Sequence, residues 1–339
     1  MRDDPSVAYV EPDKTVRVTE QTLPYGIDLI DADTSSTGAG DGAGDVSNVN
    51  AYIIDTGVDK DHPDLNVVNH VSFHGQKNVD CNGHGAHVAG TVAAKDNDSG
   101  VVGVAPGAPL TGVKVLGCNG SGRTSDVIKG VDWATEDNAS KPAIANMSLG
   151  GRASDALDAA VKRSADSGIF YAVAAGNEGR NACKKSPARA GAGTDNGIMT
   201  TAATNKSDKE AYFSNYGRCV DVWAPGVNVL STWMGGATKT ISGTSMASPH
   251  VGGAGALYLS THAGATRPRS KSRSKPTRSL RGPGVRIATG SRVSTQAITN
   301  ARRPSTSIPG GASGVASGRI YVLSGMTPSL RPHGVCGKS

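Results

Sequence analysis

The chain is poor in large side chains and, towards its end, in acids. Its 339 residues include three phenylalanines and three tryptophans against 45 glycines, which calls for a core of small aliphatic residues and a course broken by many tight turns. Residues 266–339 hold 14 Lys and Arg and no Asp or Glu, whereas residues 1–265 hold 21 Lys and Arg against 29 acids. The net charge of +6 therefore belongs to the tail, and the acidic main body argues against nucleic-acid binding. No apolar run approaches the length of a membrane span. Met1-Arg2-Asp3-Asp4 does not open a signal peptide, so either the protein is cytosolic or its start lies outside this sequence. A 37% hydrophobic share over this length suits one large domain with appendages.

Read in order, the chain alternates apolar runs with helix-like segments. Leu23–Ala32 predicts a short helix carrying Asp28 and Asp31, and a Gly/Ser/Asp-rich loop follows. Asn50–Asp55 (NAYIID) has the look of a buried parallel strand, with Asp55 at its C-terminal end. Residues 81–94 open with glycines and become a small-residue helix, with His84 where loop turns to helix. Strands are expected at 109–116, 143–149, 169–175, 198–203 and 220–224, and helices at 125–138 and 154–167. Strands alternating with helices predict a mainly parallel sheet covered on both faces. The chemistry of such sheets gathers at the C-terminal rim of the strands. Beyond His262 an Arg/Ser/Pro/Gly-rich composition lacks hydrophobic periodicity and reads as disordered.

Three glycine-flanked motifs carry chemistry. In Gly243-Thr244-Ser245-Met246-Ala247-Ser248-Pro249-His250, Ser245 falls at the start of a buried helix over Val251–Leu259, with Pro249 expected in its first turn. Free N–H groups and the positive dipole end at that position favour negative charge beside the hydroxyl. Serine needs a base and an orienting acid to act as a nucleophile, and His84 and Asp55 have the side chains for those roles. Asn177, in Ala174-Ala175-Gly176-Asn177, adds an amide able to donate to an oxyanion beside the Ser245 N–H, worth roughly 3–4 kcal/mol of barrier.

The stretches Ile53-Ile54-Asp55-Thr56-Gly57, Asn82-Gly83-His84-Gly85-Ala86-His87-Val88-Ala89-Gly90-Thr91, Asn146-Met147-Ser148-Leu149-Gly150-Gly151, Ala174–Asn177 and Gly243–His250 together resemble the subtilisin-like serine proteases of the proteinase K branch, including the secreted aqualysin type. The resemblance implies an α/β fold, the three-layer α/β/α of the subtilisins, over residues 21–262. It implies Asp55 as orienting acid, His84 as general base, Ser245 as nucleophile and Asn177 in the oxyanion hole. Substrate peptides would lie as an added strand between Gly120-Ser121-Gly122 and Ser148-Leu149-Gly150. Ala174, Ala175 and Gly176 would line the pocket for the side chain before the scissile bond, their small walls leaving room for a large apolar residue.

Four cysteines allow three pairings; the resemblance implies Cys81–Cys118 and Cys183–Cys219, leaving Cys336 over, and an oxidising, extracellular setting. It also implies structural calcium (Ca2+), with Asp221 as one ligand and Asp28 and Asp31 as a second site. Residues 1–20 resemble the end of an inhibitory propeptide and its junction, so the enzyme's own propeptide is an expected inhibitor, polypeptides its substrates and a monomer its state. Two departures stand out: Ala86 replaces the usual threonine beside the base, and the tail 263–339 does not resemble the family's closing elements, as a frame shift or a basic appendage would produce.

Three rival readings remain. Cys81, His84 and His87 have the CxxHxxH spacing of metal ligands, which leaves Asp55, Asn177 and Ser245 unexplained. An α/β-hydrolase esterase is disfavoured because Gly243-x-Ser245-x-Ala247 is not GxSxG and the order Asp, His, Ser is wrong for it. An inactive subtilisin-like protein, binding peptides in its cleft or surfaces through its tail, is the alternative the tail favours.

Overall fold

A computed structural model describes residues 20–138, 141–193 and 196–262. The expected propeptide remnant, Glu20 apart, and the tail 263–339 with Cys336 lie outside the described residues. In chain order the elements are α1 (Tyr25–Leu29), β1 (Asn50–Asp55), β2 (Val67–Ser72), α2 (His84–Ala93), β3 (Leu110–Lys114), α3 (Thr124–Asp137), β4 (Ala143–Met147), β5 (Gly151–Arg152), α4 (Asp155–Asp166), β6 (Phe170–Ala174), β7 (Lys185–Ser186), β8 (Ile198–Thr204), β9 (Val222–Pro225), β10 (Val229–Trp233), β11 (Ala237–Ile241) and α5 (Thr244–Thr261).

Seven strands form one sheet in the order β2-β3-β1-β4-β6-β8-β9, and every pairing in it is parallel. The period-2 alternation of strand side chains divides the interior into two cores. From β1, Ala51 and Ile53 join the core under α2 and α5, whereas Tyr52 and Ile54 join the core under α3 and α4. The result is the expected three-layer α/β/α arrangement. Small residues let the layers close up: α5 is buried almost throughout, and a Cβ on Gly253 would meet Val104 while one on Gly255 would meet Phe170. Ser154 caps α4 by accepting from the Leu157 N–H at 3.3 Å.

Three features depart from the sequence reading. The helix expected over 23–32 shrinks to the single turn of α1. The edge strand β2 and the hairpin β10–β11, closed through Gly235-Gly236, were not anticipated. Functionally, the important register is central: β1, β4 and β6 are neighbours, so Asp55, Ser148 just past β4, and Ala174–Asn177 share one C-terminal rim.

Candidate active site

Asp55 is fully buried at the end of β1, and its Oδ1 accepts from His84 Nδ1 and from the Thr56 N–H, both at 2.7 Å. That bond assigns the His84 tautomer: Nδ1 carries the proton and Nε2 is left as an acceptor. His84 opens α2 after Gly83, whose φ of 93° is left-handed and whose missing side chain makes room for Trp233. The loop is shaped by Asp80, whose carboxylate accepts from the N–H groups of Asn82 (3.0 Å), Gly83 (2.9 Å) and Ala86 (2.9 Å) and from the Thr56 hydroxyl (3.0 Å). Behind it lies the fully buried Lys114, at the end of β3, whose Nζ donates to the Thr56 carbonyl at 2.6 Å. Burial lowers the Lys114 ammonium, against the opposing charges of Asp80 and Asp55. Burial also works against an imidazolium at His84, but the charge and hydrogen bond of Asp55, with the charge of Asp80, outweigh it and hold His84 above its ordinary value of 6.5.

Ser245 is the second residue of α5. Pro249 lies in the second turn of the helix, not the first as expected, because α5 already begins at Thr244. Lacking an N–H, Pro249 leaves the carbonyl four residues back, that of Ser245, without its helical partner. Ser148 takes that place: its hydroxyl donates to the Ser245 carbonyl at 2.6 Å, and the Ser245 hydroxyl in turn donates to the Ser148 carbonyl at 3.0 Å. Asn146 supports the arrangement by donating to the Ser148 hydroxyl (2.8 Å) and accepting from Ser248 (2.8 Å), all within the protein interior. The Ser245 hydroxyl thus rests on the Ser148 carbonyl.

Asn177 is oriented by Thr244, the residue before Ser245. Its Oδ1 accepts from both the N–H (2.8 Å) and the hydroxyl (2.9 Å) of Thr244, whose Oγ1 also accepts from the Gly176 N–H at 3.0 Å. With its oxygen so occupied, Asn177 has only its Nδ2 donors to offer. His84, Asn177 and Ser245 border one open cleft of about 590 Å³, together with Gly120, Ser121, Gly122, Ser148, Leu149, Gly150, Ala174, Ala175 and Gly176. Every catalytic and substrate-contacting residue expected from the sequence, apart from the buried Asp55 behind His84, therefore reaches this cleft.

The subtilase family profile matches residues 48–306. The chain belongs to the subtilase family. An extracellular serine proteinase of Thermus sp. (strain Rt41A) is 46% identical over 291 residues, covering 78% of this chain and 64% of that protein. Alkaline serine exoprotease A of Vibrio alginolyticus is 44% identical, over 76% of this chain and 49% of that protein. The chain thus spans between about half and two thirds of the length of these relatives. The crystal structure of a cold adapted subtilisin-like serine proteinase superposes with a TM-score of 0.63 at 44% identity, over 71% of this chain and 86% of that one. The resemblance to subtilisin-like proteases is borne out, and the family match runs past His262 into the basic tail.

Other expectations for a subtilase take concrete form. Cys81 is bonded to Cys118 and Cys183 to Cys219. Cys81 is therefore no metal ligand, and the CxxHxxH alternative fails. His87, its third member, is buried with Nε2 at 3.1 and 3.0 Å from the Val229 and Lys239 carbonyls, and burial lowers it to about 4. Ala86 lies fully buried; its carbonyl accepts from the Thr232 hydroxyl at 2.7 Å. The residues expected to bind calcium have other partners or face solvent. Asp221 Oδ2 accepts from the Thr200 N–H at 2.8 Å, Asp28 and Asp31 are exposed on one turn, and among the described residues no three His, Cys, Asp or Glu side chains cluster as a metal cage.

Sequence reasoning missed Asp80, Lys114 and Thr244 as supports, and it missed charge in the cleft wall. Glu178 and Lys185 both line the cleft and pair at 2.6 Å. Burial pushes the Glu178 carboxyl up, but hydrogen bonds from Lys185 and Asn215 outweigh this and hold it below its ordinary range. The signal for Glu178 was available, since it directly follows Asn177; Lys185 becomes a partner only through the tertiary fold.

Proposed function

We propose that this subtilase is a secreted serine endopeptidase that cleaves extended peptides through an acyl-enzyme. The observation carrying this reading is the 2.7 Å bond from His84 to a fully buried Asp55, in a cleft that Ser245 enters from a helix N-terminus. Ser245 Oγ attacks the peptide carbonyl carbon while His84 Nε2 takes its proton, and Asp55 stabilises the resulting imidazolium. The carbonyl oxygen, now an oxyanion, is held by the Ser245 N–H and an Asn177 Nδ2–H. His84 returns the proton to the leaving amine, and water then releases the acyl group by the same steps.

The substrate backbone lies between Gly120–Gly122 and Ser148–Gly150, so main-chain bonding gives breadth of sequence. The small walls at Ala174–Gly176 favour a large apolar residue before the scissile bond. Secretion is supported by the Thermus relative, an extracellular serine proteinase, and by the two disulfides, which persist in oxidising compartments. No helix among the described residues is long and apolar enough to cross a membrane. The propeptide role of residues 1–20, the monomeric state and calcium at Asp221 belong to the same reading. Calcium at Asp221 would be structural, and no catalytic step uses it; its measure is a rise in the thermal midpoint on titration with Ca2+.

Labelling of the full chain with a fluorophosphonate probe in calcium tests the reading. Covalent labelling that disappears in Ser245→Ala is expected. A folded chain that resists the probe and leaves casein intact would overturn it in favour of an inactive peptide-binding protein.

A further inference from the structure

Two cations stand beside the cleft where local structure disfavours them. Arg123 follows Gly122 and occupies the N-cap of α3, where its side chain makes no capping bond and its charge sits at the positive end of the helix dipole. Arg152 lies in β5 directly opposite Lys185 of β7, so two like charges share one cross-strand pair. Neither position needs a cation for its fold. Both arginines are exposed, and among the described residues neither has a salt-bridge partner. The acids around them are already engaged: Asp126 lies 4.0 Å from Lys129, Asp155 and Asp158 hold Arg189, and Glu178 holds Lys185. In a main body where acids outnumber Lys and Arg, this pair of uncompensated charges stands apart.

The chain around each arginine belongs to the cleft. Gly122 and Thr124, on either side of Arg123, line it, as do Gly151 and Arg152 itself. Val127 of α3 and Leu157 of α4 share one buried cluster, Leu116 and Leu149 pack against it, and each of these side chains also lines the cleft. Where α3 and α4 begin, the floor is therefore apolar and the rim cationic. We propose that Arg123 and Arg152 form a rim that selects peptides carrying an acidic side chain well upstream of the scissile bond. An extended peptide passes about four residues between Gly120–Gly122 and Ser148–Gly150, so the side chain that meets the guanidinium groups lies about four to six positions before that bond. A carboxylate there accepts from their planar forks of donors. An amide gains far less, and a lysine is repelled.

This inference rests on the peptidase reading, and its test separates the two. Acetylated peptide p-nitroanilides ending in Phe carry Glu, Gln or Lys at a single position, moved from the second to the sixth before the scissile bond, with alanine elsewhere. They are compared by kcat/KM in the unmodified chain, Arg123→Gln, Arg152→Gln and the double variant, and ratios within each enzyme cancel changes in overall turnover. At one of the fourth to sixth positions the unmodified chain should prefer Glu to Gln by about fivefold, the scale of exposed ion pairs, and should disfavour Lys. Each single substitution should remove part of that preference and the double variant all of it. Added salt should weaken it, because exposed charges are screened. No preference for Glu at any position, one confined to the second or third, or one that survives in the double variant would overturn the inference alone, provided the alanine-Phe peptides are cleaved. Absence of any turnover by the unmodified, folded chain would instead count against the peptidase reading.

Discussion

The two halves of the proposed catalytic apparatus are held by different physics. Around His84 the supports are charged: Asp55 and Asp80 on one side, and buried Lys114 behind them. Around Ser245 they are neutral hydroxyls and amides, from Ser148, Asn146, Ser248 and Thr244. A base must change charge during the reaction, so its surroundings have to set a pKa as well as a position. A nucleophile and an oxyanion donor need only be aimed, and neutral hydrogen bonds do that without moving the pKa of the base. Changes on the first side should therefore move the pH profile, and changes on the second should alter rate alone.

The largest effect is expected for Asp55→Asn. Turnover should fall by about 10⁴, as when a triad acid is made neutral. The unmodified enzyme should lose kcat/KM on acidification with a midpoint above the ordinary histidine value, because protonated His84 cannot accept the serine proton and its pKa is raised. In Asp55→Asn that midpoint should drop to lower pH. A midpoint at or below 6.5 in the unmodified enzyme would break the electrostatic half of the comparison.

Asn177→Ala should lower kcat by roughly 10²–10³, a range taken from the oxyanion asparagine of subtilisin itself, a relative. KM and the acid midpoint should stay in place, and a shifted midpoint would show that the neutral half also tunes charge. Asp80→Asn comes next. It replaces one acceptor oxygen by a donor facing N–H groups, so stability should fall by about 1–3 kcal/mol in denaturant melts, with the midpoint of activity moving down as one negative charge is lost near His84.

The smallest effect is a cycle within the neutral half. Ser148→Ala leaves the Ser245 carbonyl unpartnered and should slow turnover several-fold, in line with the loss of about 1 kcal/mol. Adding Pro249→Ala supplies a helical N–H to the same carbonyl and should return part of the rate. Strict additivity of the two changes would deny that they share that oxygen.

Much of this arrangement was legible in the sequence because its motifs are local. NAYIID, CNGHGAH, AAGN and GTSMASPH each bring a side chain and its strand end or helix start within one short stretch, so reading the stretch places the residue. The supports were not legible for the opposite reason. Lys114 and Thr56 meet only because β3 pairs with β1, and Lys185 meets Glu178 across an irregular loop. Strand β2 (VVNHVS) was overlooked because Asn69 and His70 interrupt its apolar run at a sheet edge. The hairpin β10–β11 does carry a local signal, Gly235-Gly236 between two short strand-like runs. Pro249 falls in the second turn rather than the first because α5 begins at Thr244, well ahead of the apolar run Val251–Leu259 that marks the helix in the sequence.

That proline has a further consequence for how the chain tolerates change. In an uninterrupted helix the first carbonyls are fixed by the N–H groups of the next turn, and disturbance at one end is passed along the hydrogen-bond ladder. Here the ladder is cut between Ser245 and residue 249, and the nucleophile's carbonyl is tied to Ser148 at the sheet instead. The serine takes its position from the rim of β4, so fraying or substitution at the Thr261 end of α5, about three turns from Pro249, is insulated from the reacting atoms. Sequence variation beyond that point should be far better tolerated by activity than an equally sized change between Asn146 and Ser148.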